Sequence, residues 1–377
     1  MKKSKKKSIL IFAAYIPPHV GGIERYVTNL SNKLVSKGYL PVIVTSNYNK
    51  EKEFEIINNI PVIRLPIIDL FKNRYPLIKI GKKKEELIKL LDNYDIKAII
   101  VNARFYLTSI IGVRYAKKKR LPVYLIEHGS NYVTLDNKFI DFFANRYEDM
   151  LSFYLKRRVD GFYGVSNACG NWLRRFKINA SGTWYNSIDF NKDLYKYFNK
   201  KNNEINFLYA GRIIKQKGVY NILVSFNNLS KKYKNINLYI AGDGPELEKY
   251  KKEFTNKKNH FLCKLDFEKL LKYYSMCDIF LYPPLWPEGL PTTILEAGMM
   301  KCSVISTDKG GIKEIITDNE NGLIVDTNAY ELESAMEKLV LDSDLREKLA
   351  NKLYETVESK FSWDVTVNKI LQDIGLE

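Results

Sequence analysis

The stretch Pro287-Glu288-Gly289-Leu290-Pro291-Thr292-Thr293-Ile294-Leu295-Glu296-Ala297-Gly298 holds the densest set of residues able to do chemistry. It follows the apolar run Ile279–Tyr282, so it is expected at the carboxyl end of a strand, where open α/β sheets bind ligands. Pro291 suits the first position of a helix, which makes Glu288-Gly289-Leu290 the loop ahead of a helix start. Free amides and a partial positive charge there favour a phosphate. Glu288 would sit beside the bound group. Glu296 lies about one and a half turns along the helix, beyond what Glu288 touches. One ligand longer than a phosphate, with hydroxyls at both ends, accounts for both carboxylates; a charged cap and a solvated glutamate account for them as simply.

Two more loops carry suitable groups. Gly211-Arg212-Ile213-Ile214-Lys215-Gln216-Lys217-Gly218 closes the apolar run 206–210. A bidentate Arg212 and a point charge on Lys217 suit a diphosphate, although an ordinary basic turn is the plainer reading. Pro17-Pro18-His19-Val20-Gly21-Gly22-Ile23-Glu24 repeats the order strand, glycine loop, helix. It lacks the G-x-G-x-x-G spacing of a dinucleotide site, but two adjacent glycines let backbone approach a ligand closely. Glu127-His128-Gly129-Ser130 ends another strand, and His128 could hydrogen-bond a sugar hydroxyl or be structural, as a lone histidine usually is. Asp342-Ser343-Asp344 imitates a metal-binding D-x-D yet precedes a helix, so an N-cap is expected and no metal site. Gly242-Asp243-Gly244-Pro245 is turn-like only, and no G-x-S-x-G, H-E-x-x-H or paired C-x-x-C occurs.

The elements that must position these loops alternate. Strand-like runs fall at 8–14, 40–45, 60–65, 98–101, 122–127 and 161–165, with helical periodicity over 22–37, 83–93, 107–119, 139–156 and 167–176. After a polar, Lys- and Asn-rich stretch at 186–203, taken as a linker, strands recur at 206–210, 236–241, 261–264, 278–283, 303–307 and 322–325. Runs this apolar, separated by helices, predict parallel sheets covered on both faces. The fold class is therefore α/β: two Rossmann-like domains facing each other across a cleft. Expected bounds are 1–190 for the first and 191–361 for the second. A last helix over 362–377 has Trp363, Val367, Ile370, Leu371 and Ile374 on one face.

With 377 residues, 45% hydrophobic and 27% charged, the chain can bury two cores, and intrinsic disorder is excluded. No apolar run approaches the ~20 residues of a membrane-spanning helix. Lys2 to Lys7 followed by Ile9 to Ile16 imitates a secretory signal, but prolines and glycines stand where cleavage should occur, so a basic tail and a first strand are expected. Cys169, Cys263, Cys277 and Cys302 show no metal spacing and are expected as reduced thiols, which fits the cytoplasm. The net charge of +17 is uneven: residues 1–190 carry 33 basic and 16 acidic side chains, residues 191–377 carry 27 of each. A single-sign surface of this kind draws polyanions or an anionic leaflet. Compositional bias alone should have touched both halves.

Glu288 and Glu296 form an E-x7-E pair. With PPHVGGIERYV, EHG and GRIIKQKG before that pair along the chain and GGIKEIITDNENGLIVD at 310–326 after it, the sequence resembles the retaining glycosyltransferases of family 4, with the GT-B fold, over residues 8 to 367. The resemblance implies that Glu288 holds hydroxyls of a donor sugar beside the amides of Gly289 and Leu290, with Thr293 also at the nucleotide. Glu296 would grip the ribose, Arg212 and Lys217 would neutralise the diphosphate, Gly22 would approach it from the first domain, and His128 would meet the sugar near the reacting carbon. The last helix would cross back to the first domain. No cofactor and no metal are expected; the nucleotide sugar is a substrate, a UDP sugar in preference to a GDP sugar. Met300-Lys301-Cys302-Ser303 and Pro283-Pro284-Leu285-Trp286 depart from the family's usual turns, which leaves the sugar unnamed.

By the same resemblance the basic first half binds the acceptor, so the expected acceptor is a saccharide or lipid-linked saccharide at an anionic membrane surface, in cell-surface polysaccharide or glycolipid synthesis. The enzyme would be cytoplasmic and peripheral at the inner face of the membrane. Phe71 to Tyr75 with Lys82–Lys84, and Phe139 to Arg158, are the expected docking surfaces. Two rivals stand beside this reading. One is a nucleotide-sugar 2-epimerase of the same fold. The other is a basic nucleic-acid-binding protein, which lacks any recognisable binding signature; no nucleic-acid partner is expected.

Overall fold

Alternating buried strands and amphipathic helices appear in both halves of the chain. The computed structural model describes residues 6–19, 21–68, 76–132, 134, 137–189 and 204–376. The strands of the first half are β1 (Lys7–Phe12), β2 (Leu40–Ser46), β3 (Phe54–Ile57), β4 (Ile60–Leu65), β5 (Ile67–Ile68), β6 (Leu77–Ile78), β7 (Asp95–Asn102), β8 (Val123–Glu127), β9 (Gly161–Gly164) and β10 (Gly182–Thr183). Its helices are α1 (Gly22–Ser36), α2 (Lys82–Lys89), α3 (Leu107–Lys119), α4 (Lys138–Lys156) and α5 (Asn167–Trp172). Eight strands form one sheet in the order β10-β9-β8-β7-β1-β2-β4-β3, while β5 and β6 pair separately. Ile9, Leu10, Ile11 and Phe12 of central β1 are fully buried, as a strand covered on both faces requires.

The second half contains β11 (Ile205–Ala210), β12 (Ile236–Ala241), β13 (Asn259–Cys263), β14 (Ile279–Tyr282), β15 (Ser303–Thr307) and β16 (Leu323–Val325). Around them lie α6 (Val219–Lys232), α7 (Leu247–Glu253), α8 (Phe267–Met276), α9 (Thr292–Met299), α10 (Ala329–Leu341) and α11 (Ser343–Lys360), and the chain ends with α12 (Trp363–Asp373). The sheet is parallel throughout, in the order β13-β12-β11-β14-β15-β16.

Two compact units result: residues 1–185 with 363–377, and residues 186–362. Helix α12 belongs to the first unit because its apolar face completes that core. Trp363, Val367, Ile370 and Leu371 join Tyr26, Leu30, Leu34 and Trp184 in one buried cluster. The Trp363 ring meets Tyr26 edge-on at 5.0 Å, and Trp184 Nε1 donates to Asp373 at 2.8 Å.

Several details depart from the sequence reading. The edge strand β3 runs antiparallel to β4 and escapes the sequence reading, because its four residues are interrupted by Glu55 and only partly covered. The helical patterns over 83–93 and 167–176 end early, at Lys89 and Trp172, and tighten into 3₁₀ turns. The polar stretch taken as a linker begins inside the second unit: Ile188 is buried and bridges to Ser362. Residues 190–203, Lys2 to Lys5 and the expected docking stretch Phe71 to Tyr75 lie outside the described residues. Cys169, Cys277 and Cys302 are buried free thiols, whereas Cys263 is exposed.

Candidate active site

In the second unit β11 and β14 are neighbours, yet β11 leads on to β12 on one flank and β14 to β15 on the other. A crevice opens at such a reversal of strand order, at the carboxyl ends. The loops that leave from this point are 211–218 and 283–291, the two that carry the candidate groups.

Lys217 Nζ lies 2.6 Å from Glu288 Oε1 and donates to Tyr282 Oη at 2.7 Å. The two charged side chains are only 12% and 21% exposed, so their attraction is poorly screened by water. Burial raises the pKa of the Tyr282 hydroxyl well above its ordinary value, and the Glu288 charge adds to the effect. Arg212 acts on the same hydroxyl in the opposite sense, which brings its charge to this cluster although its side chain is exposed. Tyr209 Oη donates to the Arg212 carbonyl at 2.8 Å and so fixes the loop beneath that side chain.

Helix α9 starts one residue later than expected. Pro291 is its N-cap, with extended backbone, and Thr292 is the first helical residue. The first-turn amides of Thr292 and Thr293 have no acceptor within the helix, and Gly289 and Leu290 lead into them. Neighbours clamp this loop. Gly310, at φ +64°, pairs with Glu288; a Cβ there would lie 2.0 Å from the Glu288 carbonyl oxygen, so only glycine fits. Asn186 Nδ2 donates to the Leu290 carbonyl at 2.9 Å. The Gly242-Asp243-Gly244 turn is more than a turn. The Asp243 carbonyl accepts from Ile213 N at 2.8 Å, and a Cβ on Gly242 would meet the Gly211 carbonyl.

Glu296 is linked to the first turn of α9 through Tyr274, whose Oη also lies 3.3 Å from the Thr293 carbonyl. It is fully buried, and Tyr274 Oη donates to its Oε2 at 3.1 Å, tying α9 to α8. Glu296 lies just over one turn into the helix.

In the first unit His128 follows β8. Its Nε2 is 3.0 Å from Asn102 Oδ1, and Asn102 Nδ2 donates to the Phe12 carbonyl at 3.1 Å. That second bond fixes the amide, so His128 donates from Nε2 and leaves Nδ1 as an acceptor. Burial against Tyr26, whose ring meets the imidazole edge-on at 5.1 Å, pulls the His128 pKa down to about 3. The imidazole is therefore neutral at physiological pH. Glu127 Oε1 accepts from the amides of His128 and Gly129, at 3.0 and 3.1 Å. Its Oε2 takes Arg104 Nη1 at 2.9 Å, and Arg104 Nη2 reaches Glu148 Oε2 of α4 at 2.7 Å; all three side chains are fully buried. Gly22 opens α1 with its backbone exposed, and a Cβ there would meet nothing within 4 Å. Glu24 instead covers Gly21 and pairs with His19 at 2.7 Å.

The structure thus brings Arg212, Lys217, Glu288, Gly289, Leu290 and Thr293 together in one unit and places Gly22 and His128 in the other. Sequence reasoning missed Tyr282, Asn186, Asn102, Arg104, Glu127 and Glu148. Only the charged ones left a signal, as ionisable residues beside apolar runs. Asp342 caps α11 by accepting from Leu345 N at 2.8 Å, as expected.

The family model described as "Glycosyltransferase Family 4" matches residues 20–192, and that described as "Glycosyl transferases group 1" matches residues 191–356. This chain is a family 4 glycosyltransferase. An uncharacterized glycosyltransferase of Methanocaldococcus jannaschii is 27% identical to this family 4 enzyme over 387 residues, covering 97% of each chain. The capsular polysaccharide biosynthesis glycosyltransferase CapM of Staphylococcus aureus is 29% identical over 181 residues, covering 46% of this chain and 47% of CapM. Among solved structures, Anabaena HepE in complex with UDP-glucose aligns with a TM-score of 0.73 at 15% identity, over 98% of this chain and 99% of that one. The fold of the glycosyltransferase is GT-B, with a mainly parallel eight-stranded sheet in the first unit and a parallel six-stranded sheet in the second.

Proposed function

We propose that the enzyme moves a sugar from a nucleoside diphosphate, UDP in preference to GDP, to a hydroxyl of a saccharide or lipid-linked saccharide. It does so with retention at the anomeric carbon and without a metal ion, at an anionic membrane surface, in cell-surface polysaccharide or glycolipid synthesis. The observation that carries the reading is the Lys217 ammonium held between Glu288 and Tyr282 where two loops meet a helix start. CapM, by its name, works in capsule synthesis, and HepE binds UDP-glucose; both support the donor and acceptor class.

In this reaction the bond between the anomeric carbon and the phosphate oxygen breaks, with both electrons leaving on the diphosphate. Lys217, Arg212 and the first-turn amides of α9 stabilise that developing charge, which is the largest lever available to such a site. Glu288 holds sugar hydroxyls. The acceptor oxygen bonds to the anomeric carbon on the face the phosphate leaves, and its proton passes to the departing phosphate oxygen. Neutral His128 offers Nδ1 to a hydroxyl and carries no charge of its own.

A panel of nucleotide sugars, scored for thermal stabilisation and for hydrolysis, identifies the donor, and the anomer of the product reports retention. Glu288→Ala lowers transfer at least about a hundredfold while sparing the affinity for free UDP, and Arg212→Ala weakens both. Chelator leaves the rate unchanged. Wild-type activity in either variant overturns these roles.

A further inference from the structure

Helix α4 turns a face outward that solvent does not explain. Its buried residues Glu148, Leu151, Ser152 and Leu155 lie on one side. Opposite them, at the spacing of successive helical turns, stand Phe139, Phe142, Phe143, Met150 and Phe153, which are 74%, 59%, 55%, 60% and 63% exposed. The polar residues along that stripe are cations: Arg146 reaches over the Phe142 ring at 5.8 Å, and Arg157, just beyond the helix end, over the Phe153 ring at 5.0 Å. Exposed Lys138, Lys156 and Arg158 flank it. Acidic groups on the helix are engaged: Glu148 is buried on Arg104, Asp149 pairs with Arg146 at 3.1 Å, and Asp141 accepts from Thr134 Oγ1 at 2.7 Å.

We infer that α4 is an in-plane membrane helix whose phenylalanines enter the headgroup and acyl boundary of an anionic leaflet while its arginines and lysines bind the lipid phosphates. The inference rests on reading the basic first half as the half that meets a membrane, and it names the element and the residues. A large apolar face with a cationic rim is the chemistry of an interfacial helix. The rim has the sign of the whole first half, whose excess of 17 charges suits an anionic leaflet. A second copy of the chain is the wrong occupant. An isologous pairing would bring the cationic rims of both copies into one seam. The inner face makes the docking rigid, because the buried ions Glu148, Arg104 and Glu127 join α4 to the His128 turn. That turn then stays about one helix diameter, ~10 Å, from the lipid, where an acceptor anchored in the leaflet presents its first sugars.

Sedimentation of the full chain with vesicles tests the assignment. Wild-type protein pellets with phosphatidylglycerol–phosphatidylcholine vesicles, and less with phosphatidylcholine alone or in high salt. The triple variant F139S/F143S/F153S binds the anionic vesicles at least about tenfold more weakly. R146Q/R157Q loses roughly fivefold per charge removed. Both variants keep the wild-type melting temperature and donor hydrolysis. Wild-type protein that stays in the supernatant, or a triple variant that pellets as wild type does, overturns the proposal. So does a lipid-free dimer that the triple variant dissolves, since the face then belongs to a second copy. Pelleting needs no donor and hydrolysis needs no vesicle, so failure of this inference and failure of the transferase reading are separate results.

Discussion

At the scale of single residues, the charges of Lys217 and Glu288 balance each other. Glu288 neutralises Lys217, and Tyr282 holds the same ammonium from below. In the proposed reaction, an arriving diphosphate would offer the ammonium a stronger partner and free Glu288 for sugar hydroxyls. His128 is the residue whose state depends on pH in a way that stability can report. Its pKa falls from the ordinary 6.5 to about 3 on folding, because burial penalises the charged ring. Below pH 6.5 the unfolded chain takes up a proton that the folded chain refuses. Stability is therefore lost as pH falls from 6.5 toward 3, by roughly 1 kcal/mol per unit, and the group contributes nothing above 6.5. Comparing wild type with His128→Asn by denaturant unfolding at pH 7, 6 and 5 checks this. The acid-side slope attributable to His128 disappears in the variant. The wild-type transfer rate shows no break from this residue between pH 5 and 8. Equal slopes for the two proteins would refute the neutral ring.

At the scale of elements, the site is a set of loops held by neighbouring loops. Glycines separate two demands that sequence alone merges. At Gly310 positive φ and a carbonyl 2.0 Å from any Cβ make the demand structural. Gly310→Ala should displace the Glu288 loop, lowering the melting temperature by several degrees and transfer with it. At Gly22 nothing within 4 Å forbids a side chain, and alanine suits a first helical position better. Gly22→Ala should therefore leave the melting temperature unchanged or raised. A fall in transfer without loss of stability then reads as close approach of substrate to that backbone. Unfolding of Gly22→Ala, or full activity in Gly310→Ala, contradicts the assignment.

At the scale of the whole molecule, the chain leaves its first unit at 185 and returns to it at 363. The return is energetic. Trp363, Val367, Ile370 and Leu371 are each buried, and each such side chain stabilises by about 1.5 kcal/mol or more. Together they reach at least about 6 kcal/mol, comparable with the net stability of a domain. Truncation after Ser362 should unfold the first unit while the second, residues 186–362, keeps its own transition. Two calorimetric transitions in the full chain and loss of one on truncation make the check.

How much of this was legible depended on the range of the interaction. Strands such as 60–65 and 303–307, the loop chemistry of GRIIKQKG and PEGLPTTILEAG, and the apolar face of α12 are local patterns, and local pattern reports burial and helix starts directly. Partners across the fold are not local. Lys217 finds Glu288 only because β11 and β14 become neighbours, 71 residues apart along the chain. Asn186 reads as linker until it reaches the Leu290 carbonyl, and nothing local to Glu296 announces the Tyr274 hydroxyl of α8 that binds it. The sequence by itself determined two α/β units, the loops that carry charge, and the half that holds the basic excess, since periodicity and composition suffice for these. Tertiary structure alone decided which charges meet, which histidine nitrogen stays free and which face of α4 is left bare, because each depends on what the rest of the chain has buried.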